Sequence, residues 1–255
     1  SEIPVINVDF GNAIICGVAG DIQITNRSPN LSNLQYEWDF GNGKTFTGYD
    51  PGRVQYLGEG DYTVSVKAIN NANNCSSSAR YPEAVVVDNI SKFDLNRQNG
   101  CVGDNIVGTS TSKIVGENHI WEFGNGKNQN TASMSYSYPD SGCYIVRHIV
   151  DYKGCRSISV SNNCLRIYPL PQVNYTVDKT RDCKYPFEVK TTNNSKGAND
   201  FEWQINGSTI GKDTAPNILI QQEGTYKIKL IATNSFGCRS SSETESIQGY
   251  KVKAQ

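Results

Sequence analysis

Tyr36-Glu37-Trp38-Asp39-Phe40-Gly41-Asn42-Gly43-Lys44 reads as a strand running into a tight turn. Aromatic side chains at positions 36, 38 and 40 fall on one face of an extended chain, because strand side chains alternate. Asn-Gly then supplies the positive φ values that a hairpin turn needs. The string recurs as Ile120-Trp121-Glu122-Phe123-Gly124-Asn125-Gly126-Lys127. A worn third copy reads Phe201-Glu202-Trp203-Gln204-Ile205-Asn206-Gly207. These strings hold the only three tryptophans, spaced 83 and 82 residues apart. A period that regular predicts a tandem array of one small domain, with bounds at 1–88, 89–169 and 170–255.

Working outward, the same order of strands is expected in each copy. In the first, Pro4 to Phe10 alternates, Asp21 to Asn26 forms a second strand and Asp61 to Ala68 a late one. Within that late strand Tyr62, Val64 and Val66 point inward. A loop from Asn70 to Ser78 carries Cys75, and Ala84 to Val87 closes the copy. Tyr62, Tyr144 and Tyr226 recur every 82 residues on equivalent strands. About seven short strands per copy, with turn signals between them, predict an all-β fold of two-sheet sandwiches. The joints are short: Val87-Asp88-Asn89-Ile90 leaves little slack, and Pro169-Leu170-Pro171 stiffens the second. Three sandwiches so joined are expected to form an elongated rod.

The 255 residues carry 24 Lys and Arg against 25 Asp and Glu, a net charge of −1. No basic stripe exists to attract nucleic acid or an anionic membrane. No apolar run reaches the roughly 18 residues of a transmembrane segment. The chain opens at Ser1, which reads as a processed protein or a piece of a longer polypeptide or assembly.

Eight cysteines suit small domains that need staples. Cys16, Cys101 and Cys183 precede the tryptophans, and Cys75, Cys155 and Cys238 follow them. Pairing within each copy gives Cys16–Cys75, Cys101–Cys155 and Cys183–Cys238, at separations of 59, 54 and 55. Cys143 and Cys164 remain for a fourth bridge in the second copy. Bridges imply an oxidising compartment, so the expected location is extracellular, at the cell surface. No Cys-x2-Cys pair occurs, which argues against structural zinc.

Trp38-Asp39-Phe40-Gly41-Asn42-Gly43, followed by Tyr56, Gly60, Tyr62 and Val64, resembles the PKD domain (polycystic kidney disease repeat), an immunoglobulin-like β-sandwich. Trp121 to Gly126 with Tyr138, Gly142, Tyr144 and Val146 resembles it again, with Glu122 in place of the usual Asp. The third copy departs further, with Ile220 where the others have tyrosine. The resemblance implies that Trp38, Trp121 and Trp203 fill the cores. It also implies that Tyr62, Tyr144 and Tyr226 are tyrosine corners. The cysteine-bearing copies are similar to those of gliding-motility adhesins exported by the type IX system.

Candidate sites are few. Some PKD domains bind calcium, so Glu37, Asp39, Asp50 and Asp61 are possible oxygen ligands, although Asn42 and Asn125 lower the charge available. No other cofactor is implied. His119 shares a face with Trp121, and His148 with Tyr144; a structural pair is the reading favoured over catalysis. Tyr49, Tyr81 and Tyr152 could form a binding rim or be ordinary strand residues. Asp213-Thr214-Ala215 matches a short bacterial O-glycosylation acceptor. No Gly-x-Ser-x-Gly, His-Glu-x2-His or P-loop string occurs, and the chain reads as non-enzymatic. The expected role is the stalk or adhesion module of a bacterial surface protein, meeting protein or polysaccharide at the cell surface. Two alternatives stand beside it: an accessory spacer or polysaccharide-binding array of a secreted hydrolase, and a component or cargo partner of the type IX export machinery.

Overall fold

The computed structural model describes residues 4–243 and 246–250. Among these every regular element is a β-strand. Among the described residues no helix is long and apolar enough to cross a membrane. The chain forms two compact units. One holds Ser1–Asn96, Val107–Ser135 and Ile145–Cys164, and the other Arg97–Ile106, Tyr136–Tyr144 and Leu165–Gln255. The second copy thus contributes strands to both units.

In the first unit, the first copy is a sandwich of a five-stranded and a three-stranded sheet. The larger sheet runs, in spatial order, Ile14–Cys16, Cys75–Asp88, Gly60–Asn70, Leu34–Asp39 and Thr45–Thr47. The smaller runs Val8–Asp9, Gly20–Asn26 and Gly52–Tyr56. Period-2 alternation sends Tyr36, Trp38, Val64, Val66, Val85 and Val87 inward from one sheet, and Ile22, Ile24, Val54 and Tyr56 from the other. Cys75 does not lie in a loop. It opens a 14-residue strand that reaches Asp88. Ser76 to Ser78 pair with Ile69 to Lys67, so this polar stretch is held by its backbone ladder. The ladder shifts between Tyr62 and Val64, and Pro82 and Glu83 fall in the resulting bulge. A residue without an N–H is tolerated there, and Glu83 takes a positive φ of 50°.

The second copy adds to this unit the sheet Asn128–Gln129, Asn118–Glu122, Arg147–Tyr152 and Cys155–Val160. Trp121 and Val150 of this sheet, and Val146 just before it, are fully buried.

In the second unit, Asn99–Cys101, Leu165–Tyr168 and Gly142–Tyr144 form a three-stranded sheet. The third copy builds a four-stranded sheet from Ser208–Gly211, Asp200–Ile205, Ile228–Thr233 and Arg239–Glu243. It adds Tyr175–Val177, Phe187–Asn193 and Asn217–Ile220, and the short set Arg181–Asp182, Ile247–Gly249 and Gly224–Tyr226. Its core gathers Val189, Trp203, Ile218, Ile220, Leu230 and Ile247.

Candidate functional sites: repeat pins, junctions, a groove and a histidine pair

The tryptophan string builds the same local structure three times. Trp38 Nε1 donates to the Gly48 carbonyl at 3.1 Å, Trp121 Nε1 to Thr131 at 3.1 Å and Trp203 Nε1 to Asp213 at 3.0 Å. Each acceptor lies ten residues on, across the hairpin that the turn creates. A buried indole N–H thus finds its partner in its own copy. The tyrosines are equally regular. Tyr62 Oη donates to Gly58 O at 2.6 Å, Tyr144 to Asp140 O at 2.9 Å and Tyr226 to Gln222 O at 3.0 Å, always four residues back.

Gly41 and Gly124 are required twice over. Their φ values are +72° and +78°, and a Cβ would press on the carbonyls of Thr63 and Ile145.

The acidic residues considered for calcium are dispersed by this geometry. Asp39 Oδ1 accepts from the Gly41 N–H at 2.9 Å, Asp50 Oδ1 from the Asn26 N–H at 3.2 Å, and Asp61 pairs with Lys113 at 3.1 Å. Among the described residues no three His, Cys, Asp or Glu side chains gather as a metal shell would need. The tyrosine rim is dispersed too. Tyr49 donates to the Ser28 carbonyl at 2.8 Å, Tyr81 packs edge-on against Phe10, and Tyr152 lies beneath the Lys153 ammonium.

The disulfides correct the within-copy pairing. Cys16 is bonded to Cys155 and Cys101 to Cys238. Cys143 and Cys164 are also disulfide-bonded. Cys75 and Cys183 are free. The physical reason is strand length. Cys16 sits opposite Asp88, at the far end of the strand that Cys75 begins. Fourteen extended residues span about 40 Å, while a disulfide needs Cα atoms about 6 Å apart. An early cysteine therefore meets the next copy, with Cα–Cα distances of 6.1 Å and 5.6 Å in the two bridges.

Polar contacts surround the first bridge. The buried Asp88 carboxylate accepts from Ser112 Oγ at 2.7 Å and from the N–H groups of Lys113 and Ile114 at 3.2 and 3.3 Å. Asn89 Oδ1 accepts from Ser157 Oγ at 2.6 Å, and its Nδ2 donates to Ser159 Oγ at 3.0 Å. Around the second bridge Tyr168 stacks on Phe236 with centroids 3.9 Å apart. Asn234 Nδ2 donates there to Pro169 O at 2.9 Å.

A groove of about 530 Å³ crosses the outer face of the five-stranded sheet in the first copy. Strand alternation presents Glu37, Lys67 and Arg80 along it, beside the partly exposed ring of Phe46. That ring lies on Gly48, where a Cβ would meet it at 2.6 Å.

His148 is fully buried and faces Trp121 across the strand pair. In the other copies Val66 faces Trp38 and Leu230 faces Trp203. His148 Nδ1 lies 2.9 Å from the Ser91 carbonyl, which can only accept, so this nitrogen carries the proton. Its Nε2 then accepts from Nδ1 of His119 at 3.0 Å. Burial pushes its pKa down to about 4, opposed by the Ser91 carbonyl and assisted by His119. His148 is thus a neutral, hydrogen-bonded imidazole in the core, with the half-buried His119 beside it.

Comparison with solved structures finds fibronectin(III)-like modules of Clostridium thermocellum CbhA, at 16% identity over 62% of this chain and 93% of that one, with a TM-score of 0.36. It also finds Sidekick-1 immunoglobulin domains 1–5, at 11% identity over 98% of this chain and TM-score 0.35. The chain spans 59% of that structure's length. The ICAM-5 D1–D4 ectodomain fragment matches at 10% identity over 96% of this chain and 76% of that one, with a TM-score of 0.40. No curated protein matches the chain. Residues 20–82 match the PKD domain, the stretch that holds the Trp38 pin, the Gly41 turn and the Tyr62 corner.

Proposed function

We propose that this chain is a non-enzymatic, extracellular tandem-repeat segment of a bacterial surface protein, with PKD-like domains at 1–88, 89–169 and 170–255. It serves as a stalk and adhesion module of the gliding-motility type, exported by the type IX system to meet protein or polysaccharide at the cell surface. The observation that carries this reading is the pair of bridges between consecutive copies. Cross-linking one domain to the next is what a spacer under tension needs, and it requires an oxidising compartment. Antibodies raised against the chain should decorate intact cells of the parent organism, and excess soluble chain should reduce their attachment to a surface. Staining only after lysis would remove the surface reading.

The Phe46 groove favours a second reading, an accessory polysaccharide-binding array of a secreted hydrolase. Polysaccharide pull-down separates the two. Binding lost in Phe46→Ala, with no effect of the chain on cell attachment, would favour the second.

A further inference from the structure

Cys75 and Cys183 each have two structural equivalents, and all four of those are bonded. The early cysteines occupy one kind of place. Cys16 faces Asp88 and Cys101 faces Tyr168, each on a short strand that pairs in parallel with the last strand of its copy. Cys183 follows Arg181–Asp182, which pairs in parallel with Gln248–Gly249, and the Tyr250 N–H donates to Asp182 O at 3.1 Å. The late cysteines occupy another. Cys75 and Cys155 close hairpins opposite Asn70 and Tyr152, and the Cys238 carbonyl accepts from the Asn234 N–H at 3.0 Å. The residue before each late cysteine is left-handed: Asn74 at φ 58°, Gly154 at 82° and Gly237 at 83°. Both bridges join an early cysteine of one copy to a late cysteine of the next. What remains is the late cysteine of the first copy and the early cysteine of the last.

A second observation points the same way. Tyr168, beside Cys101, stacks on Phe236, beside Cys238. Tyr250 holds the place of Tyr168 in the third copy, beside Cys183, and is 47% exposed. Thiol and ring together form the half of a junction that the second copy completes with the third.

We propose that Cys75 and Cys183 are the open ends of a disulfide ladder passing from copy to copy, and that each bonds a cysteine of another domain built like these three. Cys183 takes a hairpin cysteine placed as Cys155 and Cys238 are. Cys75 takes an early-strand cysteine placed as Cys16 and Cys101 are. This rests on reading the chain as an array of equivalent domains. Each new bond joins two sulfurs as two thiols lose two protons and two electrons. A small-molecule disulfide accepts them and becomes two thiols.

A second copy of the chain carries both kinds of cysteine, so the chain tests itself. C75S, with only Cys183 free, and C183S, with only Cys75 free, are incubated with oxidised and reduced glutathione, separately and mixed. The mixture should give a Cys183–Cys75 dimer on non-reducing gels in roughly tenfold excess over either homodimer, a preference of about 1.4 kcal/mol. Peptide mapping should find the linked pair. Homodimers equal to the mixed dimer, or glutathione adducts with no dimer at all, would overturn the ladder. If the same map retains Cys16–Cys155 and Cys101–Cys238, the array reading survives that failure; if those bridges are missing, both fall.

Discussion

His148 stacks on Trp121 with ring centroids 3.9 Å apart and planes 12° from parallel, filling a place that valine or leucine holds in the other copies. A neutral imidazole does this work only while it stays neutral. Its folded pKa of about 4 lies below the ordinary 6.5. The unfolded chain therefore binds the proton first as pH falls. The stabilisation is complete above pH 6.5 and is lost as pH drops through about 4, on the order of 3 kcal/mol in all. Thermal unfolding between pH 7 and pH 4 should show this loss, and His148→Leu should flatten it. An equal pH dependence in the leucine variant would assign the effect elsewhere.

Gly124 and Gly126 separate two costs that glycine usually carries together. Both have φ near +80°, but a Cβ at Gly124 would meet the Ile145 carbonyl, N and C within 3.2 Å, whereas Gly126 has open space. Gly126→Ala should cost about 1 kcal/mol of backbone strain. Gly124→Ala should cost at least about 2 kcal/mol more, because backbone must move. Urea unfolding of the two variants checks the difference; equal midpoints would refute the close approach.

The tyrosine corners are expected to be interchangeable in energy. Tyr62→Phe, Tyr144→Phe and Tyr226→Phe each remove one hydroxyl-to-carbonyl bond and leave the ring in place. Each should lower stability by about 1 kcal/mol. A denaturation series on the three variants measures it, and a loss confined to one of them would show that the shared geometry does not carry shared energy.

Thiol accessibility follows from the bridge pattern. Alkylation without reductant should label Cys183, which is exposed, faster than the partly buried Cys75. It should leave Cys16, Cys101, Cys143, Cys155, Cys164 and Cys238 unlabelled. Mass spectrometry of the digests reads this directly. Label on Cys16 or Cys238 in the folded chain would contradict the bridges described.

Much of the fold could be read from period alone. Tryptophans at a fixed interval, with alternation around them, are enough to place the core-facing residues, because strand geometry leaves little choice once one face is apolar. The bridge partners were a different matter. Equal spacing marks Cys16 and Cys75 as equivalent to Cys101 and Cys155, but equivalence between copies says nothing about distance within one. The missing fact was that Ser76 to Ser78 continue a strand. Serines carry no hydrophobic pattern, and only the ladder to Lys67, Ala68 and Ile69 reveals them. The histidine pair was legible as neighbours on adjacent strands, whereas the Ser91 carbonyl that fixes the tautomer comes from a distant loop. The groove at Phe46 had no signal beyond one aromatic in a short polar strand.

The two mapped bridges span residues 16–155 and 101–238, so their loops overlap rather than nest. Tension applied at the chain ends has a covalent shortcut: in to Cys16, across to Cys155, back along the chain to Cys101, across to Cys238 and out. That route uses about 90 residues, roughly 300 Å at full extension, against on the order of 900 Å for the reduced chain. The oxidised polypeptide thus has a hard limit on how far it can be drawn out, whatever becomes of its hydrogen bonds. Within that limit the middle stretch is pulled in the reverse sense, so that drawing the chain out further requires a bridge to be reduced.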